Sequence, residues 1–127
     1  MRHIHDVPSM PKAGPYSHAV EHDATLYLSG QTPFDASTGG LVDGSIAAQT
    51  RQCLDNLAAV LIAAGLTLHD VVKCNVYLID MGDFDEMNRE YSQTFTSSPP
   101  ARTTVAVAGL PLGARVEIDG IARRPLA

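Results

Sequence analysis

Hydrophobic residues recur along this chain with two different periods, and the period separates predicted helices from predicted strands. Leu54, Leu57 and Leu61 lie three or four residues apart, which is the spacing of one face of an α-helix. Ser45 stands where an N-cap is needed, and Gly65 stands where a helix commonly stops. The sequence therefore predicts a helix between these two residues, with one apolar face to lay on a sheet.

A second helical pattern follows Asp83. This residue and Glu86 have the spacing of a capping box, and the Pro-Pro pair at 99–100 ends the pattern. The apolar residues at helical spacing between these points are Phe84, Met87, Tyr91 and Phe95. The pattern predicts a second helix, and a shorter capped turn of the same type is predicted at 67–70.

Alternating patterns predict the strands. In the strand predicted over residues 71–79, one face is formed by Val72, Cys74, Val76 and Leu78. Residues 20–30 hold a turn at 22–24 between two apolar stretches, which predicts a hairpin. Two β-branched runs in residues 99–118 flank the sequence Gly-Leu-Pro-Leu-Gly. They predict two further strands joined by a short connection.

The remaining stretches predict little regular structure: an edge strand at most in residues 1–13, and a loop in 32–44. The order of elements is then β-β-α-β-α-β-β. Two helices with five or six strands predict an α+β fold in which both helices cover one face of a mixed sheet, within a single domain of residues 1–127. The other face carries too many apolar residues for solvent exposure, which predicts a subunit interface.

Composition excludes several classes of function. The 9 basic and 14 acidic residues give a net charge of −5, so nucleic acid is not a predicted partner, because phosphate binding needs clustered Lys and Arg. The five histidines are scattered, without the spacing of a zinc site, and no metal or cofactor is predicted. No stretch approaches the roughly 20 apolar residues of a membrane span, and the first residues lack the apolar core of a signal peptide. Cys53 and Cys74 occur in buried patterns, which predicts free thiols in a reducing, cytoplasmic protein.

Candidate chemistry is concentrated in the two predicted strands of residues 99–118. If these strands pair antiparallel through an even-length connection, the two-residue period places Arg102, Thr104 and Glu117 on one face. Arginine can bind a carboxylate or phosphate through two parallel hydrogen bonds, and a neighbouring glutamate can position a water or carry a proton. The alternative is a structural Arg–Glu pair across two strands.

A second candidate position is the end of the predicted hairpin. Ser29 and Gly30 would offer a small hydroxyl and a backbone without Cβ, which allows a ligand to approach closely. The alternative is an ordinary strand terminus. Tyr16 begins an extended segment after the turn at 13–15, where an aromatic ring can pack the N-terminal arm against the domain.

Several motifs match one family in the right order. Pro-Ala-Arg-Thr at 100–103 is followed by Leu-Pro at 110–111 and Val-Glu-Ile at 116–118. Further matches are Gly-Pro-Tyr-Ser at 14–17, Leu-Ser-Gly-Gln at 28–31, Gln-Thr at 49–50, Asn-Leu at 56–57, Ala-Gly-Leu at 64–66, Asp-Val-Val-Lys at 70–73, and Asp-Phe at 83–84 with Asn88. The chain resembles the Rid family, the reactive intermediate deaminases, also called YjgF-like proteins.

This resemblance implies a chorismate-mutase-like fold and a homotrimer with clefts between subunits. It also implies cofactor-free hydrolysis of small 2-imino or enamine acids, such as 2-aminoacrylate and 2-iminobutyrate, to the 2-keto acid and ammonia. Arg102 would hold the substrate carboxylate and Glu117 would order the attacking water. The other positions that match the family's cleft are Tyr16, Ser29, Gly30, Asn88 and Thr104.

One position departs from the family pattern, because many members carry Cys where this chain has Thr104. The exchange replaces a soft sulfur with a β-branched hydroxyl and opens the question of substrate preference. The alternatives within the resemblance are a pathway-specific deaminase for an aminomuconate-like acid and a non-catalytic binder of small carboxylates or regulatory protein. Ribonuclease activity has also been attached to the family name.

Overall fold

In a computed structural model, which describes residues 2–126, six strands form one mixed sheet, and two helices cover one face of it. The elements are β1 (Arg2–His5), β2 (Ala19–His22), β3 (Thr25–Gln31), β4 (Phe34–Asp35), β5 (Gly40–Leu41), α1 (Ile46–Ala63), β6 (Val71–Leu78), α2 (Phe84–Thr94), β7 (Ala101–Ala106) and β8 (Val116–Arg123). The strand order is β1-β2-β3-β8-β6-β7, with β6 and β7 parallel and the other neighbours antiparallel. The predicted α+β architecture is confirmed.

The core lies between the helices and the sheet. From α1 it takes Leu54, Leu57 and Leu61, which are at most 1% exposed, as the helical period predicts. The Ser45 hydroxyl accepts a hydrogen bond from the Ala48 amide at 3.1 Å and so caps α1. The β2–β3 hairpin and the capped turn at 67–70 are also confirmed.

The predicted cap of α2 is wrong. Asp83 makes no capping hydrogen bond and instead forms an ion pair with Arg115 at 3.0 Å. Glu86 accepts a hydrogen bond from the Ala47 amide at 3.1 Å, so it serves the first turn of α1. Both carboxylates therefore join elements that are distant in sequence, because a long-range partner lies within their reach.

One residue of the predicted β6 face lies on the wrong side. Val72 is 51% exposed, whereas Val71 is buried. The register against β8 shifts between Val71 and Lys73. This irregularity at the start of β6 shifts the alternation of buried and exposed side chains by one residue. From Cys74 onward the predicted buried face is confirmed, and both cysteines are buried free thiols.

The pairing of the last two strands differs from the prediction. β7 and β8 do not pair with each other, because β6 lies between them. β6, α2 and β7 form a strand–helix–strand unit, in which the crossover helix makes the two strands parallel. The connection at 107–115 then carries the chain past β6 to its other edge.

Two further findings concern the loop after β3 and the hydropathy of the helices. The predicted loop at 32–44 contains the short ribbon β4–β5, and its tip at 36–39 is exposed. Within residues 2–126, no helix is long and apolar enough to cross a membrane.

Candidate active site

A cleft of about 520 Å³ opens where β3 ends and β8 begins. Four of the predicted site residues line it: Tyr16, Ser29, Gly30 and Glu117. The N-terminal arm, the β3–β4 connection and Leu112 complete its walls. Leu112 is 72% exposed and has a positive φ of 61°, so the Gly-Leu-Pro-Leu-Gly stretch is a tight turn at the rim of the cleft.

A β-bulge places Gly30 against Glu117. Leu28 pairs with Gly120 and Gln31 with Ile118, so two residues of β3 lie opposite one residue of β8. A Cβ on Gly30 would lie 2.8 Å from Glu117 Oε2 and 3.0 Å from its Cδ. The absence of a side chain at Gly30 therefore makes room for the Glu117 carboxyl group, whereas the sequence prediction gave that room to a ligand.

Ser29 and Tyr16 shape the cleft through hydrogen bonds to the arm. Ser29 Oγ donates to the Ser17 carbonyl at 2.6 Å, and the Ser29 amide donates to the His18 carbonyl at 2.9 Å. Tyr16 Oη accepts from the Ala13 amide at 3.3 Å. The Ser29 hydroxyl therefore donates its proton within the protein, and it can only accept a hydrogen bond from a ligand.

Glu117 is the acidic group of this cleft and has no hydrogen-bond or ion-pair partner among residues 2–126. Burial, and then the negative charge of Asp119, raise the pKa of its carboxyl group. Asp119 itself accepts from Asn75 Nδ2 at 2.9 Å and from Tyr77 Oη at 2.8 Å. The hydrogen bond to Asp119, together with burial, raises the pKa of Tyr77 to about 12. A carboxyl group with a raised pKa takes up a proton more readily than an ordinary glutamate, which suits it to proton transfer.

Arg102 lies on the opposite face of the sheet. It is level with Cys74 on β6, whose side chain points into the core. Its guanidinium carbon lies 4.7 Å from the centre of the Tyr91 ring and 5.6 Å from that of Phe84, both on α2. Thr104 faces the same way, level with the buried Val76, and its hydroxyl is buried without a partner among residues 2–126.

The predicted residues thus form two groups within one chain. Glu117 is level with Tyr77 on the outer face of the sheet, whereas Arg102 and Thr104 face the helices. Asn88 lies on α2, one helical turn after Phe84 and so on the same side of the helix as that ring. The prediction that Arg102, Thr104 and Glu117 share a face is wrong, because β6 separates their strands and sets their registers independently.

Sequence reasoning missed the contributions of three residues. The helical pattern predicts Phe84 and Tyr91 only as apolar residues of α2, and no role is predicted for Asp119. A helix that connects two parallel strands packs on them, so α2 must cover β6 and β7. The strand–helix–strand order was therefore the signal that could have placed the aromatic residues of α2 beside Arg102. Among residues 2–126, no cluster of three His, Cys, Asp or Glu side chains is placed to hold a metal ion.

Comparison with known proteins assigns the family. Residues 8–124 match the family described as Endoribonuclease L-PSP. A 2-iminobutanoate/2-iminopropanoate deaminase of Mus musculus is 49% identical over 109 residues, which are 86% of this chain and 81% of the mouse protein. The chain belongs to the Rid family.

Other Rid relatives carry different names. Protein DfrA of Myxococcus xanthus is 50% identical over 115 residues, which are 88% of each chain. A solved Rid family protein of Yersinia pestis, YyfA, described as of unknown function, matches with a TM-score of 0.91 and 40% identity, covering 97% of this chain and 99% of its own. Family membership therefore fixes the fold and leaves the activity of this member to be argued from its residues.

Proposed function

We propose that this Rid protein hydrolyses small 2-imino and enamine acids, such as 2-aminoacrylate and 2-iminobutyrate, to 2-keto acids and ammonia. The observation that carries the proposal is the half-buried Arg102 guanidinium, which has no hydrogen-bond or ion-pair partner among residues 2–126. Arg51, Arg115 and Arg124 are each paired with a carboxylate. Arg102 is therefore available for a carboxylate that residues 2–126 do not supply.

In this mechanism the two groups have separate tasks. Arg102 holds the substrate carboxylate by two parallel hydrogen bonds, which fixes the direction of the imine carbon. Glu117 accepts a proton from a water while the water oxygen bonds to the imine carbon. Glu117 then passes this proton to the nitrogen, which gives a carbinolamine. Glu117 then takes the hydroxyl proton of the carbinolamine and passes it to the amine nitrogen, so that the carbon–nitrogen bond breaks as the keto carbon–oxygen double bond forms, and ammonia leaves. An imine is electrophilic, so a positioned water and one base suffice.

A complete site requires more than one copy of the chain. Arg102 and Glu117 face opposite sides of the same sheet, so one subunit cannot direct both at one small substrate. We infer a homotrimer in which the Arg102 side of one subunit meets the Glu117 cleft of the next. Such a head-to-tail contact closes into a ring with one site at each interface.

Thr104 bears on substrate choice within this proposal. Its hydroxyl is buried without a partner among the described residues, and an unpaired buried hydroxyl favours a ligand that offers a hydrogen bond. A polar or short 2-imino acid is favoured over a long aliphatic one.

The decisive experiment measures ammonia release from freshly generated 2-iminobutyrate and, with the same sample, cleavage of RNA. We expect ammonia release without RNA cleavage. Arg102→Lys should raise the activation free energy that corresponds to kcat/KM by about 2 to 4 kcal/mol, because an ammonium cannot reproduce the two-pronged contact. Arg89→Lys, an exposed arginine on α2, is the matched control and should retain activity. RNA cleavage without imine hydrolysis would overturn the proposal, and full activity in folded Arg102→Lys would remove the carboxylate role.

A further inference from the structure

The guanidinium of Arg102 rests against the aromatic face of α2. Its central carbon is 4.7 Å from the Tyr91 ring centre and 5.6 Å from the Phe84 ring centre. Both distances are within the range in which a cation is attracted to an aromatic ring. The N–H groups of this guanidinium have no hydrogen-bond partner among residues 2–126, so they remain free for a ligand.

Within residues 2–126, no hydrogen bond or ion pair holds this side chain. Arg51 and Arg115 are held by Glu90 and Asp83, whereas Arg102 has no carboxylate or carbonyl partner among residues 2–126. The orientation of its guanidinium group therefore depends on the two rings.

Tyr91 is itself firmly placed. It is 5% exposed, packs on Phe95 with 4.7 Å between ring centres, and belongs to the core cluster. Its hydroxyl is buried without a hydrogen-bond partner in the described part of the chain. Burial, with the neighbouring Cys74 thiol, raises the pKa of that hydroxyl far above its usual range, so Tyr91 stays neutral. The structure gives the ring a role and gives the hydroxyl none.

We propose that Tyr91, with Phe84 as a second ring, is a positioning residue that orients Arg102 for two-pronged binding of a substrate carboxylate. This inference rests on the proposed function, because it assigns Arg102 the role of carboxylate anchor. Loss of the ring leaves the positive charge in place but lets its plane rotate. The loss weakens binding of the substrate and of the transition state alike, so KM rises while kcat changes little.

The test compares Tyr91→Phe with Tyr91→Leu, using calorimetric binding of 2-oxobutanoate and the kinetics of 2-iminobutyrate hydrolysis. We expect Tyr91→Phe to retain wild-type values and Tyr91→Leu to raise both the dissociation constant and KM about tenfold. Phe84→Leu, at the longer distance, should raise both about threefold. Leu57→Ala on α1 is a control for general loosening of the core and should leave the dissociation constant unchanged.

The outcomes separate the two proposals. If the wild-type protein binds 2-oxobutanoate but does not hydrolyse the imine, the proposed function fails, and the binding series still tests the aromatic contact. If folded Tyr91→Leu and Phe84→Leu both bind as the wild type does, the positioning role is overturned. An equal loss in Leu57→Ala also overturns it. Should Tyr91→Leu fail to fold, Phe84→Leu alone decides, and unchanged binding in that variant overturns the inference.

Discussion

At the scale of single residues, Gly30 shows how the backbone makes room for the proposed catalytic carboxyl group of Glu117. The atoms within 3.2 Å of a Cβ built there are Oε2, Cδ and Cγ of Glu117. They belong to the end of a flexible side chain, so an added methyl group would move Glu117 and leave the backbone of the bulge unchanged. A substitution at Gly30 is thus a means of displacing the carboxyl group without removing it.

Gly30→Ala should therefore lower kcat for 2-iminobutyrate by up to about 100-fold, because a shift of about 1 Å in a catalytic group can cost that much. The thermal midpoint should change little. Gly40→Ala is the matched control, since a Cβ at Gly40 meets no atom within 4 Å. Wild-type kcat in Gly30→Ala would show that the position of Glu117 is not limiting.

Glu117 also predicts a pH dependence. A base must be ionised, so kcat/KM should fall as the pH drops through a midpoint above 4.5, the ordinary value for a glutamate, because the pKa of Glu117 is raised. Asp119→Asn removes the smaller of the two causes and should move this midpoint toward lower pH, while burial keeps it above the ordinary value. Asp55→Asn, an exposed change on α1, should not move it. An unmoved midpoint in Asp119→Asn would contradict the coupling of the two carboxyl groups.

Glu117→Gln tests the role of the carboxyl group directly. The amide keeps the shape and loses the proton acceptor, so binding of 2-oxobutanoate should persist while hydrolysis slows. Calorimetry and ammonia release on the same variant make the comparison. Unchanged hydrolysis would make Glu117 a structural residue.

At the scale of elements, the sequence predicts each helix and strand better than their arrangement. Periodicity is local, so Leu54, Leu57 and Leu61 place α1 correctly from the sequence alone. Which strands pair depends on contacts between distant residues, and a short Gly- and Pro-rich connection favoured a hairpin at 99–118. The strand–helix–strand order around α2 was the stronger signal, because it requires parallel neighbours.

The same difference between local patterns and long-range contacts applies to the candidate site. Arg102 and Glu117, the residues proposed to carry the chemistry, could be named from the sequence and its family resemblance. Their separation onto two faces could not, because it depends on the register of β6 against both neighbours. The contact of Tyr91 with Arg102 and the room that Gly30 leaves for Glu117 are distances between elements and have no signature in a local pattern.

One polar network ties four elements together at the far end of the sheet. Glu21 on β2 accepts from Arg124 Nε and Nη2, each at 2.9 Å, and contacts His5 on β1 at 2.9 Å. Arg124 also donates to the Ala64 carbonyl at the end of α1, at 2.8 Å. These bonds lower the pKa of Glu21 from 4.5 to about 2.

Because the folded-state pKa of Glu21 is lowered, its stabilising contribution is present above pH 4.5 and is lost as the pH falls toward 2. Glu21→Gln should lower the free energy of unfolding at pH 7 by about 1.5 to 3 kcal/mol and remove this part of the acid sensitivity. Urea unfolding at pH 7 and pH 3 measures both. Asp23→Asn, at an 82% exposed side chain, should change neither, and an unaltered pH dependence in Glu21→Gln would contradict the assignment.

At the scale of the whole molecule, the outer face of the sheet carries an apolar row. Ile4, Val20, Tyr27 and Ile121 are direct neighbours across β1, β2, β3 and β8. Ile4 is 57% and Tyr27 is 53% exposed. Such a row on the face without helices predicts contact with another copy of the chain.

Light scattering at micromolar concentration should therefore give the mass of a homotrimer. Tyr27→Glu places a charge in the apolar row and should shift the mass toward the monomer, whereas Ile62→Glu changes a 68% exposed residue of α1 and should not. A monomeric wild-type protein would contradict the predicted assembly.

The last prediction concerns how the two faces cooperate. If each site takes Arg102 from one subunit and Glu117 from its neighbour, Arg102→Ala and Glu117→Gln should each hydrolyse the imine far more slowly than the wild type and complement each other when mixed. In an equal mixture that is unfolded and refolded together, about a quarter of the interfaces join an intact Arg102 to an intact Glu117. Activity should therefore return to about a quarter of the wild-type value. A site built within one chain cannot be restored this way, so a mixture that stays inactive while forming trimers would refute the shared site.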